Sequence, residues 1–176
     1  MKMNICKDEK GFSLIELIVV VLIIAIVAVA LAPQVVKWVE NSRISSDIQT
    51  LSDLENICKL AIADAKAYEK VRNGSYELII SKTSSGLQYD YLPTEVDFDT
   101  DDFWQSFLRT GGYSSKQDFE HNVEVKSNST NGDPAAIHVY VWVGGFTFGK
   151  LENVVSDTIE IPTGFSGSAH EIPSEG

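Results

Sequence analysis

With 176 residues, the chain has room for one membrane-length segment and one modest domain. A net charge of −11 and a pI of about 4.6 describe a surface that repels phosphate backbones, which disfavours nucleic acid as a partner. Its two cysteines, Cys6 and Cys58, exclude a disulfide-rich framework.

The first eleven residues carry Lys2, Lys7 and Lys10, a basic flank with the acidic pair Asp8-Glu9 inside it. From Phe12 to Ala32 every residue is apolar except Ser13 and Glu16, and Leu17 to Ala32 has no polar residue at all. Twenty-one residues at ~1.5 Å each span roughly 31 Å, about the hydrocarbon thickness of a bilayer. In lipid each backbone group must be paired within the segment, so this Val- and Ile-rich run is predicted to be helical. An ordinary signal peptide fits less well. The run is longer than the usual apolar core, and its small-residue candidate Ala30-Leu31-Ala32 is followed by Pro33. A signal-anchored domain that never assembles remains an alternative. Glu16 argues for more than an anchor, because a carboxylate inside a spanning segment is costly and such residues are functional by default.

Lys10-Gly11-Phe12-Ser13-Leu14-Ile15-Glu16-Leu17, with the apolar run behind it, resembles the leader-cleavage motif of class III prepilins, the precursors of type IV pilin-like subunits. The resemblance covers about residues 10 to 33. It implies that a membrane prepilin peptidase cuts after Gly11 and methylates the new terminus at Phe12. Glu16 is then the assembly glutamate, which meets the Phe12 amine of a neighbouring subunit and sets the stagger between chains. Pro33 falls where many members of that family carry a helix-loosening proline. The implied partners are like pilin subunits, the peptidase-methyltransferase, the pilus platform protein with its assembly ATPase, and membrane lipid before assembly. The implied location is the cytoplasmic membrane as a single-pass precursor, then a cell-surface filament. A pseudopilin of a type II-like secretion system is the nearest alternative.

Beyond Pro33, a kink or local melting is expected. The helical pattern then continues, with Ile44, Ile48, Leu51, Leu54, Cys58, Ala61, Ala65 and Tyr68 at steps of three or four. Asn73-Gly74 is the predicted stop. Strands are predicted at Tyr76–Ser81, Asn122–Lys126, Ala136–Val143, Gly145–Leu151 and Thr158–Ile161, and a helix at Thr100–Arg109 capped by Thr100 or Asp101. The segments are a leader (1–11), a transmembrane and assembly helix (12–33), an amphipathic half of the same helix (34–73), a β domain (74–162) and a mobile tail (163–176). The fold class is α+β. A long N-terminal helix packs on an antiparallel sheet of about four strands arranged as a meander, the pilin architecture that the resemblance implies.

Other candidate sites are weaker. Asp97, Asp99 and Asp101 open like a calcium loop, but the pattern fails at its glycine and at Leu108, so a solvated acidic loop is the preferred reading. The strand face with His138, Tyr140 and Trp142 is expected to be covered by the Phe103-Trp104 helix. His121, His138 and His170 have no ligand spacing, and Gly164–Ser168 misses a nucleophile elbow at its last position. No catalytic constellation and no cofactor are predicted. Cys58, on an apolar helical face, reads as an inert core thiol.

Overall fold

The computed structural model describes residues 11–129, 132–142 and 147–154. The chain divides into two units, Met1–Val39 and Glu40–Gly176, and helix α1 (Leu14–Ala61) contributes to both. In the first unit all described residues are exposed, and the helix runs through Pro33 without interruption. Residues 1–10, the strand predicted at Thr158–Ile161, the tail predicted at 163–176 and His170 lie outside the described residues.

In the second unit, α1 buries Ile44, Leu51, Leu54, Cys58 and Ala61, the stripe that the sequence spacing predicts. The prediction of one helix to Asn73 is corrected. Helix α1 ends at Ala61, and a second helix, α2 (Ala65–Asn73), starts behind Asp64. The Asp64 carboxylate accepts from the Lys66 and Ala67 N–H groups (2.9 and 3.5 Å) and so caps a fresh helix. The new start also resets the buried face: Ala67 and Val71 go inside, whereas Tyr68 is exposed.

Four strands follow: β1 (Tyr76–Thr83), β2 (Gly86–Leu92), β3 (Ala135–Val141) and β4 (Thr147–Glu152). The sheet is antiparallel in the order β2-β1-β3-β4, so β1 is central and the meander order is corrected. Between β2 and β3 lie helices α3 (Asp102–Gly111) and α4 (Lys116–Asn122). Asp101 caps α3 through its Phe103 and Trp104 N–H groups, and Gly112 ends it at φ 77°, a left-handed position suited to glycine.

Two readings fail for identifiable reasons. Strand β2 lies where no strand is predicted, because its alternation pairs aromatics with Gln88 and Asp90, a composition that an edge strand tolerates. Val123 and Val125 are buried while Glu124 and Lys126 are exposed, so the alternation read as a strand at Asn122–Lys126 is real. Its backbone, however, is turned toward α1 rather than toward a strand. Lys126 and Ser127 donate their N–H groups to the two oxygens of Asp47, each at 2.8 Å. Asn128 similarly donates backbone and side-chain N–H to Glu40.

The core fills the space between the helices and one sheet face. Leu78, Ile80, Ile137, Val139 and Val141 line that face, and Tyr76 and Tyr91 lead into an aromatic cluster with Phe98, Phe103, Trp104, Phe107 and Phe119. Gly149 lies on the same face where α1 comes closest. A Cβ there would collide with the Leu51 and Glu55 side chains.

Asp47 is fully buried and, among the described residues, is the sole acceptor for two amides, so its loss should be costly. Asp47→Ala is expected to lower the unfolding free energy by about 2–4 kcal/mol, with Asp47→Asn between it and the parent. Urea unfolding of the detergent-solubilised chain, followed by near-UV circular dichroism, measures the shift in midpoint.

Candidate processing and assembly segment

Gly11 precedes α1, is exposed, and has open space around the position a Cβ would take. Nothing in the described fold therefore requires glycine here for packing. Phe12 is 87% exposed. Ser13 opens the helix, its C=O accepting from the Leu17 N–H at 3.1 Å, while its own N–H donates to Glu16 Oε2 at 3.4 Å. This is the reach-back half of a capping box, legible in the Ser-x-x-Glu spacing of Ser13 and Glu16. It places a carboxylate in the first turn, where the helix end is electropositive.

From Leu14 to Leu31 the large apolar side chains are exposed on all faces of α1, and the helix is long and apolar enough to cross a membrane. Leaving such a side chain in water costs roughly 1.5–3 kcal/mol relative to burial. Summed over this run, the cost exceeds the ~5–15 kcal/mol net stability of a typical domain. The segment thus requires an apolar environment that the described residues do not supply.

The remaining candidates separate. Asp101 is buried, with one oxygen on the α3 cap and the other accepting from Tyr76 Oη at 3.1 Å. Asp97 accepts from the Asp99 N–H and the Thr100 hydroxyl (3.1 and 3.2 Å), closing its own turn. Asp101 and Asp97 are therefore spent on helix capping and turn geometry. Among the described residues no group of three His, Cys, Asp or Glu side chains could hold a metal ion.

The expectation that the Phe103-Trp104 helix covers His138, Tyr140 and Trp142 is corrected. Helix α3 packs on the opposite sheet face, because Phe103 and Trp104 meet Tyr76 and Tyr91 there. On the outer face His138, Tyr140 and Phe148 stack in a row (centroids 5.9 and 4.7 Å), with Trp142 beside Phe148. His138 lies between Glu77 and Glu152, one at each ring nitrogen (2.9 and 3.4 Å). The sequence reading missed this bridge, whose signal lies in register: Glu77 is beside His138 only once β1 pairs with β3.

Residues 6–32 match the family described as the prokaryotic N-terminal methylation motif. Two curated proteins, each described as "Fimbrial protein" and from Pseudomonas aeruginosa, are 33% identical over 89 residues, 51% of this chain and 51% of each relative. The chain thus spans about half the length of these curated relatives. No solved structure matches it. The matched motif and the fold both agree with the resemblance to type IV pilin-like precursors: an N-terminal methylation motif on a long helix, and an α+β fold in which that helix packs on a four-stranded antiparallel sheet.

Cys58 takes no part in the segment. It is buried in α1, and burial, with Glu55 nearby, pushes its thiol well above the usual range. In a Cys6→Ser chain, maleimide labelling should proceed roughly 100-fold slower than for a free thiol and be released by denaturant. Mass spectrometry of timed aliquots measures this.

Proposed function

We propose that this chain is a structural subunit of a type IV pilus-like filament, cut after Gly11, methylated at Phe12 and polymerised through its N-terminal helix. The observation that carries the reading is the exposed apolar run of α1 with one carboxylate, Glu16, in its first turn directly behind Gly11-Phe12. The matched methylation motif and the fimbrial relatives support the same reading.

The chemistry follows from the residues. Cleavage of the Gly11–Phe12 peptide bond consumes one water and leaves an α-amine on Phe12. A methyl group on that nitrogen keeps it basic, so a cation and the Glu16 carboxylate then lie within the apolar stretch. Each is costly in lipid, and the two cannot both be compensated by the Ser13 N–H. Pairing the Phe12 amine of one subunit with Glu16 of the next removes both costs at one particular stagger. Loosening at Pro33, which lacks the N–H that would hold the turn before it, lets the helix adjust as subunits pack. Before assembly the chain stands in the cytoplasmic membrane through residues 12–33, and its partners there are the prepilin peptidase, the platform protein and the assembly ATPase.

Mass spectrometry of the mature chain is expected to find Phe12 at the N-terminus with one added methyl group; an intact Met1 leader would overturn the reading in favour of a signal-anchored domain. Glu16→Ala should be cleaved like the parent but yield at least about tenfold less sedimentable filament, the factor that ~1.4 kcal/mol represents. Filament yield equal to the parent would sink the charge-pairing step.

A further inference from the structure

We propose that the cleft at the β1–β2 turn is a docking site for the acidic loop of a second copy of this chain. The inference rests on the filament reading and names a contact through which the sheet-bearing units of neighbouring subunits meet.

The cleft has a volume of about 540 Å³, and Arg43, Lys82 and Lys126 line it together with the hydroxyls of Ser84 and Ser85. In a chain with a net charge of −11, three cations on one cleft are a marked local reversal. Lys82 Nζ donates to the Lys126 carbonyl at 3.0 Å, and Lys126 Nζ donates to Ser46 Oγ at 3.1 Å. These neutral acceptors hold the ammonium groups in place without cancelling their charge. Arg43 is shared with Glu40 at 3.3 Å, and Glu124 is the acidic member of the lining. The balance stays positive.

The complementary surface is the loop after β2. Glu95 and Asp99 are exposed there, and their side chains make no hydrogen bond or ion pair among the described residues. Asp97 closes its own turn but is exposed, and Asp102 adds charge at the start of α3. The neighbouring cations are already engaged: Lys70 reaches the buried Asp101 at 3.8 Å, and Lys116 lies over the Tyr91 ring and pairs with Glu120.

Cleft and loop lie at opposite ends of β1. The cleft contains Lys82 and Thr83 at its C-terminal end, whereas Asp101 is hydrogen-bonded to Tyr76 at its N-terminal end. Seven residue steps separate them by roughly 23 Å. That exceeds the ~8 Å Debye length at physiological salt, so the two patches cannot neutralise one another within a chain. Between chains they can. A contact of one end with the other is heterologous: each docked copy leaves a fresh cleft and a fresh loop, and repetition with an open rotation gives a helical filament. An anionic lipid headgroup would fit the cleft but leave the loop without a role, which is why a second copy is the favoured occupant.

The test uses the full chain in cell membranes. One copy carries Ser84→Cys in the cleft and a differently tagged copy carries Thr94→Cys in the exposed loop, both in a Cys6→Ser background, so that every charge of the contact is kept. A short bismaleimide is expected to give a mixed dimer when both variants are present and none when either is alone; absence of the mixed dimer overturns the proposal. This readout needs no filament, so it stands apart from failure of the filament reading itself. As a second arm, Arg43→Glu with Lys82→Glu, or Glu95→Lys with Asp99→Lys, should each lower filament yield about tenfold, and combining all four should restore it. Yields equal to the parent for both pairs, or no restoration in the combination, overturn the contact. So does a result in which the cleft variant alone loses yield and binding to phosphatidylglycerol vesicles while the loop variant matches the parent.

Discussion

One helix has to satisfy two surroundings, and the rest of the structure depends on how α1 does so. Between Leu17 and Leu31 its side chains are apolar on every face and all are exposed. From Ile44 onward the apolar residues narrow to a stripe with polar residues between them. The first pattern demands surroundings as apolar as itself; the second demands a single covering surface on one side. The sheet supplies that surface in the second unit, and the fit is close enough that glycine is needed at position 149, where any Cβ would collide with Leu51 and Glu55. A core packed to this density responds to volume changes of a single methylene.

Polar groups on the same helix decide which pieces of chain are held against it. Asp47 is fully buried, a location that an ionisable side chain tolerates only when its hydrogen bonds are made. Its two oxygens take two successive amides from a segment about 80 residues away. At the other end of the stripe, Ser106 Oγ donates to the Ala61 carbonyl at 2.9 Å, a second donor on an acceptor that also takes the Asp64 N–H at 3.2 Å. These bonds fix the region between the two sheet hairpin partners without a strand, and they explain why residues 123–126 alternate like a strand yet pair with none.

Much of this was legible beforehand, for physical reasons that differ by element. The α1 stripe, the α3 caps at Asp101 and Gly112, and the inward face of β3 all follow from local periodicity and capping chemistry, which a short window of sequence contains. The break at Asp64 was written there too, since Asp at an N-cap is a common signal, but the apolar spacing running on to Tyr68 masked it. The sheet order, the Asp47 anchor and the Glu77–His138–Glu152 bridge were not legible, because each depends on which distant segments pair. The same division runs through the candidate segment. Gly11, Phe12 and Glu16 stand out by type and order alone, whereas the Ser13–Glu16 hydrogen bond had a visible spacing that the cost of the carboxylate overshadowed.

On the filament reading, the two kinds of contact do different work. Moving α1 from lipid into a bundle of like helices exchanges one apolar environment for another, so the hydrophobic effect contributes little and packing contributes most. A surface of Val, Ile and Leu on all faces packs nearly as well at many axial offsets, which makes it a weak source of register. Charges are different, because an ion pair inside an apolar bundle is strong at contact and its loss leaves two uncompensated groups. Among the described residues Glu16 holds the Ser13 N–H at a long 3.4 Å, so little of that bond is given up when a neighbour's cation replaces it. Register would then be set twice: by Glu16 within the helical bundle, and by the contact of cleft with loop between sheet-bearing units. Two constraints on one repeat are compatible only for subunits whose spacing satisfies both, which gives a uniform apolar helix a single way to assemble.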